Sequence, residues 1–138
     1  MLFRSATTAQ YADLAEKYQS DSYYEPGTVL VFGTDTEVTI SNKYEDSRVV
    51  GVVTTNPAYL MNSELTGVSV AVALQGRVPC KVIGTIQRGD MMITSDTPGV
   101  ATSCSLPQIP QIGTVIGKAL QNYDSTEVGV IEIVVGRV

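Results

Sequence analysis

Between Val72 and Ala101 the chain runs VALQGRVPCKVIGTIQRGDMMITSDTPGVA, and this stretch restricts the fold more than any other. Leu74, Val78, Cys80, Val82 and Ile86 fall on one side of an extended chain, with Gln75, Arg77, Lys81 and Gln87 largely on the other. Period-two alternation of this kind belongs to half-buried strands, whose successive side chains point to opposite faces. Gly76, Gly84, Gly89 and Pro98-Gly99 punctuate the stretch, which therefore reads as three short strands.

The β pattern extends upstream as far as Gly27. GTVLVFG (27–33), Glu37 to Ser41, RVVGVVTT (48–55) and Gly67 to Leu74 each read as strands, separated by Thr34-Asp35 and by the polar loop NKYEDS (42–47). Gly51, inside one of them, marks a bulge or a close backbone approach. Asn56-Pro57 reads as a helix start, with AYLM supplying a single turn. The abundance of valine and threonine, with no tryptophan or histidine, agrees with an all-β chain.

Displaced by 62 residues, segment 25–76 lies on 87–138 without a gap. Gly27, Val38, Ser41, Gly51, Val53, Ser63, Gly67, Val68 and Val72 then meet identical residues. Composition alone gives about four such matches, so an internal duplication is one reading. Chance self-alignment of a Val/Gly-rich chain is the other. Duplication predicts a pseudo-twofold barrel or sandwich, with Arg77 to Ile86 crossing between its halves.

Thr7 to Gln19 carries the helical signal. Tyr11, Leu14, Ala15 and Tyr18 recur at i, i+3, i+4 and i+7, and Thr7 or Thr8 can cap the start. The predicted fold is thus mainly β, a compact barrel or sandwich over residues 27–138, preceded by one short N-terminal helix and linker over residues 1–26. The opening LFRS matches translated adaptor DNA, so residues 1–5 read as a truncation scar.

Charge and composition exclude several functions. Nine Lys and Arg against fourteen Asp and Glu, never clustered, argue against nucleic acid and anionic membranes as partners. No apolar run approaches the roughly 18 residues that span a bilayer as a helix. Cys80 and Cys104 cannot form a metal site without a histidine to join them, and read as small buried residues or a disulfide. The absence of histidine also removes Ser-His-Asp hydrolysis and the commonest general base. The glycines do not form a phosphate loop, and Asp90 and Asp96 lack the periodic ligands of a calcium loop, so no cofactor or metal is expected.

One carboxylate pair stands apart. Asp13 and Glu16, three apart on the predicted helix, would share a face. Two close carboxyls can share a proton and act as general acid and base, while a solvated face with Glu16 beside Lys17 needs no chemistry.

Three segments together, TAQYADLAEKY (8–18), VVGVVTTNPAYLMN (49–62) and residues 72–101, resemble the C-terminal domain of phage tail-fibre and neck-appendage proteins of the autoproteolytic intramolecular-chaperone type. The resemblance spans Ser5 to Val138. It implies a virion structural domain that brings three chains into register, a homotrimer among other virion proteins. In self-cleaving members an Ala-Asp-x-x-Glu-like segment opens the domain, and ADLAE (12–16) matches it. The resemblance therefore implies a cut before Asp13, with Asp13 and Glu16 as the catalytic groups, as the alternative to a purely structural domain. A fibre tip that binds a host receptor or glycan through Tyr23, Tyr24, Tyr44, Tyr59 or Tyr123 is the second alternative.

Overall fold

The computed structural model describes residues 13–104 and 107–136. Ten strands follow one another: β1 (Asp13–Gln19), β2 (Val29–Phe32), β3 (Val38–Ile40), β4 (Val49–Val53), β5 (Tyr59–Met61), β6 (Ser69–Ile86), β7 (Met91–Thr94), β8 (Ala101–Cys104), β9 (Val115–Ala119) and β10 (Tyr123–Val135). No helix occurs among the described residues, and hence none that is long and apolar enough to cross a membrane.

The strand β6 is 18 residues long and belongs to both halves of the molecule. Its predicted breaks at Gly76 and Gly84 do not interrupt it. Both glycines take positive φ, 107° and 97°, and bend a continuous strand instead of ending it. Along one edge of β6, β1 pairs as far as Gly76, and β10 takes over from Gly76 to Ile86. Along the other edge lie β4, opposite Val72 and Ala73, and β8, opposite Val82.

The C-terminal half of β6 joins β10, β9, β7 and β8 into a closed ring of five strands. Closure leaves that ring without free edges. The pairing order recurs upstream. β2 and β3 form an antiparallel hairpin, as β7 and β8 do. β2 pairs with β4 as β7 pairs with β9, and the register slips at Leu30/Val31 and at Met92/Ile93, positions 62 apart. The parallel closure Val82↔Ala101 has its counterpart in the single bridge Ser20↔Val38.

The ungapped repeat fails from β4 onward: Val53 is not equivalent to Val115, and through the pairing of β4 with β6 and of β9 with β10 Val72 corresponds to Ile133 and not to Val134. Gly51 lies opposite Leu30 and Gly117 opposite Met92, so these two glycines correspond at a spacing of 66 and Gly51 does not match Gly113. Each is required by close packing. A Cβ would come within 2.2 Å of the Ala73 carbonyl oxygen at Gly51 and 1.9 Å of the Val134 carbonyl oxygen at Gly117.

Two cores result. Val78, Cys80, Val82, Ile86, Met92, Ile131 and Ile133 fill the closed ring, and Val29, Val52 and Ala73 pack on the same cluster. Leu30, Val38, Val53, Val70 and Val72 make the smaller upstream cluster, flanked by the partly buried Tyr18, Tyr24, Val50 and Leu74. Each fully buried valine, leucine or isoleucine contributes about 1.5–3 kcal/mol.

The N-terminal helix is corrected over the residues described. Asp13–Gln19 is strand β1, antiparallel to β6 and parallel to β5, while residues 7–12 lie outside the described residues. A helix of about three turns is marginal alone, and pairing on both edges overrides the weak local preference. The Leu14/Tyr18 spacing of four also puts two side chains on one side of a strand. The single turn expected at AYLM is likewise strand, β5, because Tyr59–Met61 pairs with Leu14–Glu16.

Candidate functional site

Asp13 opens β1 where β1 and β10 meet on β6, opposite Gly76. It is 3% exposed, and its Oδ2 has no hydrogen-bond partner among the described residues. Burial pushes its carboxyl pKa up; hydrogen bonds from the Thr54 side chain and from its own backbone amide offset part of that rise. Its backbone carbonyl accepts from the Ala58 N–H at 2.8 Å, which fixes the start of the strand.

Beside Asp13 lies a cavity of about 110 Å³, lined also by Pro26, Thr54, Asn56, Arg77 and Pro79. It has room for a few waters, and Asp13, Thr54, Asn56 and Arg77 supply polar groups in a wall otherwise made by Val53, Val78 and the two prolines. A buried carboxyl of this kind keeps its proton to higher pH than an exposed one.

Glu16 does not join this site. In an extended strand, positions 13 and 16 project to opposite faces, so the shared face expected from a helix is lost. Glu16 faces the side of Tyr18, whose hydroxyl pKa is raised by burial and then by the charges of Glu16 and Glu37. The Tyr18 ring packs edge-on against Phe32 at 6.4 Å, and Glu37 accepts from the Gln19 N–H at 2.8 Å. Tyr18, which flanks the upstream cluster, thus has Phe32 against its ring and Glu16 and Glu37 near its hydroxyl.

The tyrosines considered for a glycan site are not gathered into one aromatic stack; Tyr18–Phe32 is the one ring pair among the described residues. Tyr23, Tyr44 and Tyr59 are exposed. The Tyr24 hydroxyl donates to Asp21, and the Tyr123 hydroxyl to the Glu127 carbonyl. Cys80 and Cys104 are free and buried, and burial pushes the Cys80 thiol up to about 12. No cluster of three or more Cys, Asp or Glu side chains is arranged to hold a metal among the described residues.

The cavity partners Thr54, Asn56 and Arg77 lie 41 to 64 positions beyond Asp13 in the sequence. No local motif ties them to it. Strand pairing alone brings them together.

A five-stranded closed ring with a second, similarly paired set of strands upstream defines the architecture. No protein-family model matches the chain, and no curated protein matches it. Among solved structures it is similar to the crystal structure of the bacteriophage phi29 gene product 12 C-terminal fragment, at 12% identity and a TM-score of 0.64. The likeness covers 91% of this chain and 100% of that one, and it establishes a shared fold.

Proposed function

We propose that this chain is a phage virion structural domain, the C-terminal assembly and capping unit of a tail fibre or appendage, acting as a homotrimer without turnover. The observation that carries this reading is that 91% of the chain matches the full length of the bacteriophage phi29 gene product 12 C-terminal fragment. The three segments that resemble fibre and appendage domains support it independently of the fold. The repeated strand pairing supports an internally duplicated barrel, with the spacing widened between β8 and β9.

A second reading, self-cleavage before Asp13, is favoured by one feature. The carboxyl at the head of β1 is buried, lacks a partner at Oδ2 and has a raised pKa. Glu16, on the other face of β1, would then act on a different group or not at all.

Light scattering with intact mass spectrometry on the purified 138-residue chain separates the readings. Trimers of uncut chains support the structural unit. A new N-terminus at Asp13, absent from Asp13→Asn, supports self-cleavage. A monomer of full mass overturns both.

A further inference from the structure

The strand β10 is apolar on both faces. Ile131, Ile133 and Val135 point into the closed ring, whereas Val128, Val130 and Val134 point out and are 49%, 61% and 40% exposed. A sequence such as VGVIEIVV is the pattern of a strand covered on both sides, yet in the single chain one side is bare.

Cations border that outer face. Val134 lies between Arg77 on β6 and Lys118 on β9, and Val130 lies opposite Lys81. Cross-strand partners share a face, so these side chains stand beside the valines. Arg88 and Lys118 line the adjoining groove with Leu120 and Val134. Glu132, the acidic residue in the row, is 3.5 Å from Arg77, and Lys81 is paired with Glu25.

The opposite charge is on the other half of the molecule. Residues 1–69 hold nine acidic and four basic side chains, a net of −5, whereas residues 70–138 hold five of each. Within the acidic half, Glu16 and Glu37 lie near Tyr18, a flank of the upstream cluster, and Phe32, edge-on against the Tyr18 ring, is 48% exposed. A cyclic trimer needs two different, mutually complementary patches on each chain, since its contacts are head-to-tail.

We infer that the outer face of β10, with Arg77 and Lys118, is a docking surface for the Tyr18/Phe32/Glu16/Glu37 patch of a second copy of this chain. The inference rests on the trimer reading and names the two faces it uses. Apolar contact from the valines and Phe32 supplies affinity, and the charges set direction and exclude self-pairing of like faces.

The test is the subunit count of the full chain by light scattering over a dilution series. Val130→Asp and, separately, Arg77→Glu with Lys118→Glu should raise the dissociation midpoint by about tenfold or more. Adding Glu16→Lys and Glu37→Lys to the second variant should recover assembly. Far-UV circular dichroism checks that each variant folds. A wild-type trimer that survives both variants overturns this interface and leaves the trimer reading intact. A wild-type monomer overturns both. A wild-type dimer that Val130→Asp breaks and the charge swap fails to restore overturns the head-to-tail pairing.

Discussion

Replacing Asp13 by Asn should stabilise the protein at neutral pH. The wild-type carboxylate is 3% exposed, and its Oδ2 has no partner among the described residues. An unsatisfied buried polar atom costs about 1–3 kcal/mol, and a charged one more. The Thr54 and backbone hydrogen bonds recover part of this for the other oxygen. Asparagine keeps the shape and an acceptor for Thr54, and turns a neutral amide towards the cavity, so the net gain at pH 7 is about 1–2 kcal/mol. For a chain of 138 residues that is a rise in Tm of about 3–8 °C. The pH dependence follows from the direction of the shift. The folded pKa lies above the ordinary 3.8, so the contribution of Asp13 is fully present below 3.8 and lost as pH rises through the folded value. The advantage of Asp13→Asn should therefore shrink as pH falls towards 4. Other titrating groups are common to both proteins and cancel in the difference. Urea titration followed by tyrosine fluorescence or circular dichroism at pH 7 and pH 4 measures it. A variant less stable than wild type at pH 7, or a gap unchanged between the two pH values, would refute the reasoning.

Three further outcomes are expected. Gly51→Ala and Gly117→Ala each drive a Cβ into a carbonyl oxygen of the neighbouring strand, at 2.2 Å and 1.9 Å, and should each cost about 3 kcal/mol in urea denaturation. A loss below about 1 kcal/mol at either site would contradict the packing described. Asp46, buried, accepts from the Arg48 backbone N–H at 2.9 Å and from its guanidinium at 2.9 and 3.2 Å. Arg48 holds its carboxyl below the usual range, so its contribution is present above pH 3.8 and lost as pH falls through the lowered value. Asp46→Asn should cost about 1–2 kcal/mol at pH 7, a modest figure because Arg48 is half exposed, and equal stabilities there would count against the pair. Finally, Cys80 and Cys104 are buried and both thiol pKa values are raised, so a colourimetric thiol reagent should label neither in the native protein and both in urea. Rapid labelling of the native chain would place a thiol at the surface.

Local patterning carried much of the β architecture. The alternation from Leu74 to Ile86 is the alternation of β6, and the strands at 29–32, 38–40 and 49–53 fall within the segments that read as strands. What failed did so because a partner distant in sequence decided it. Tyr11, Leu14, Ala15 and Tyr18 suit a helix stripe, but Leu14 to Gln19 is held by residues 69 to 75, which no local window contains. Gly76 and Gly84 read as strand ends, because a glycine that bends a strand and one that ends it look alike in sequence. The 62-residue self-match coincides with like strand pairing at β2 and β7 and loses it at β4 and β9, where the spacing of like-paired residues widens by four. The cavity around Asp13 had no signature, since Thr54, Asn56 and Arg77 reach it only through strand pairing. The doubly apolar β10 was written plainly in VGVIEIVV, but only the folded chain shows that one side is uncovered.

The shared strand has a consequence for synthesis. β10 leaves the ribosome after every strand it joins, and it supplies ten of the partners of β6 as well as the far edge of β9. Until it arrives, β6 from Arg77 to Ile86 has a bare edge and an apolar row not yet sealed by Ile131, Ile133 and Val135. Translation that stops before Tyr123 would leave that row for chaperones, proteases or other nascent chains to find. Synthesis of β10 and closure of the ring thus become one event, and a chain cut before β10 should be recognisable by its failure to hide β6.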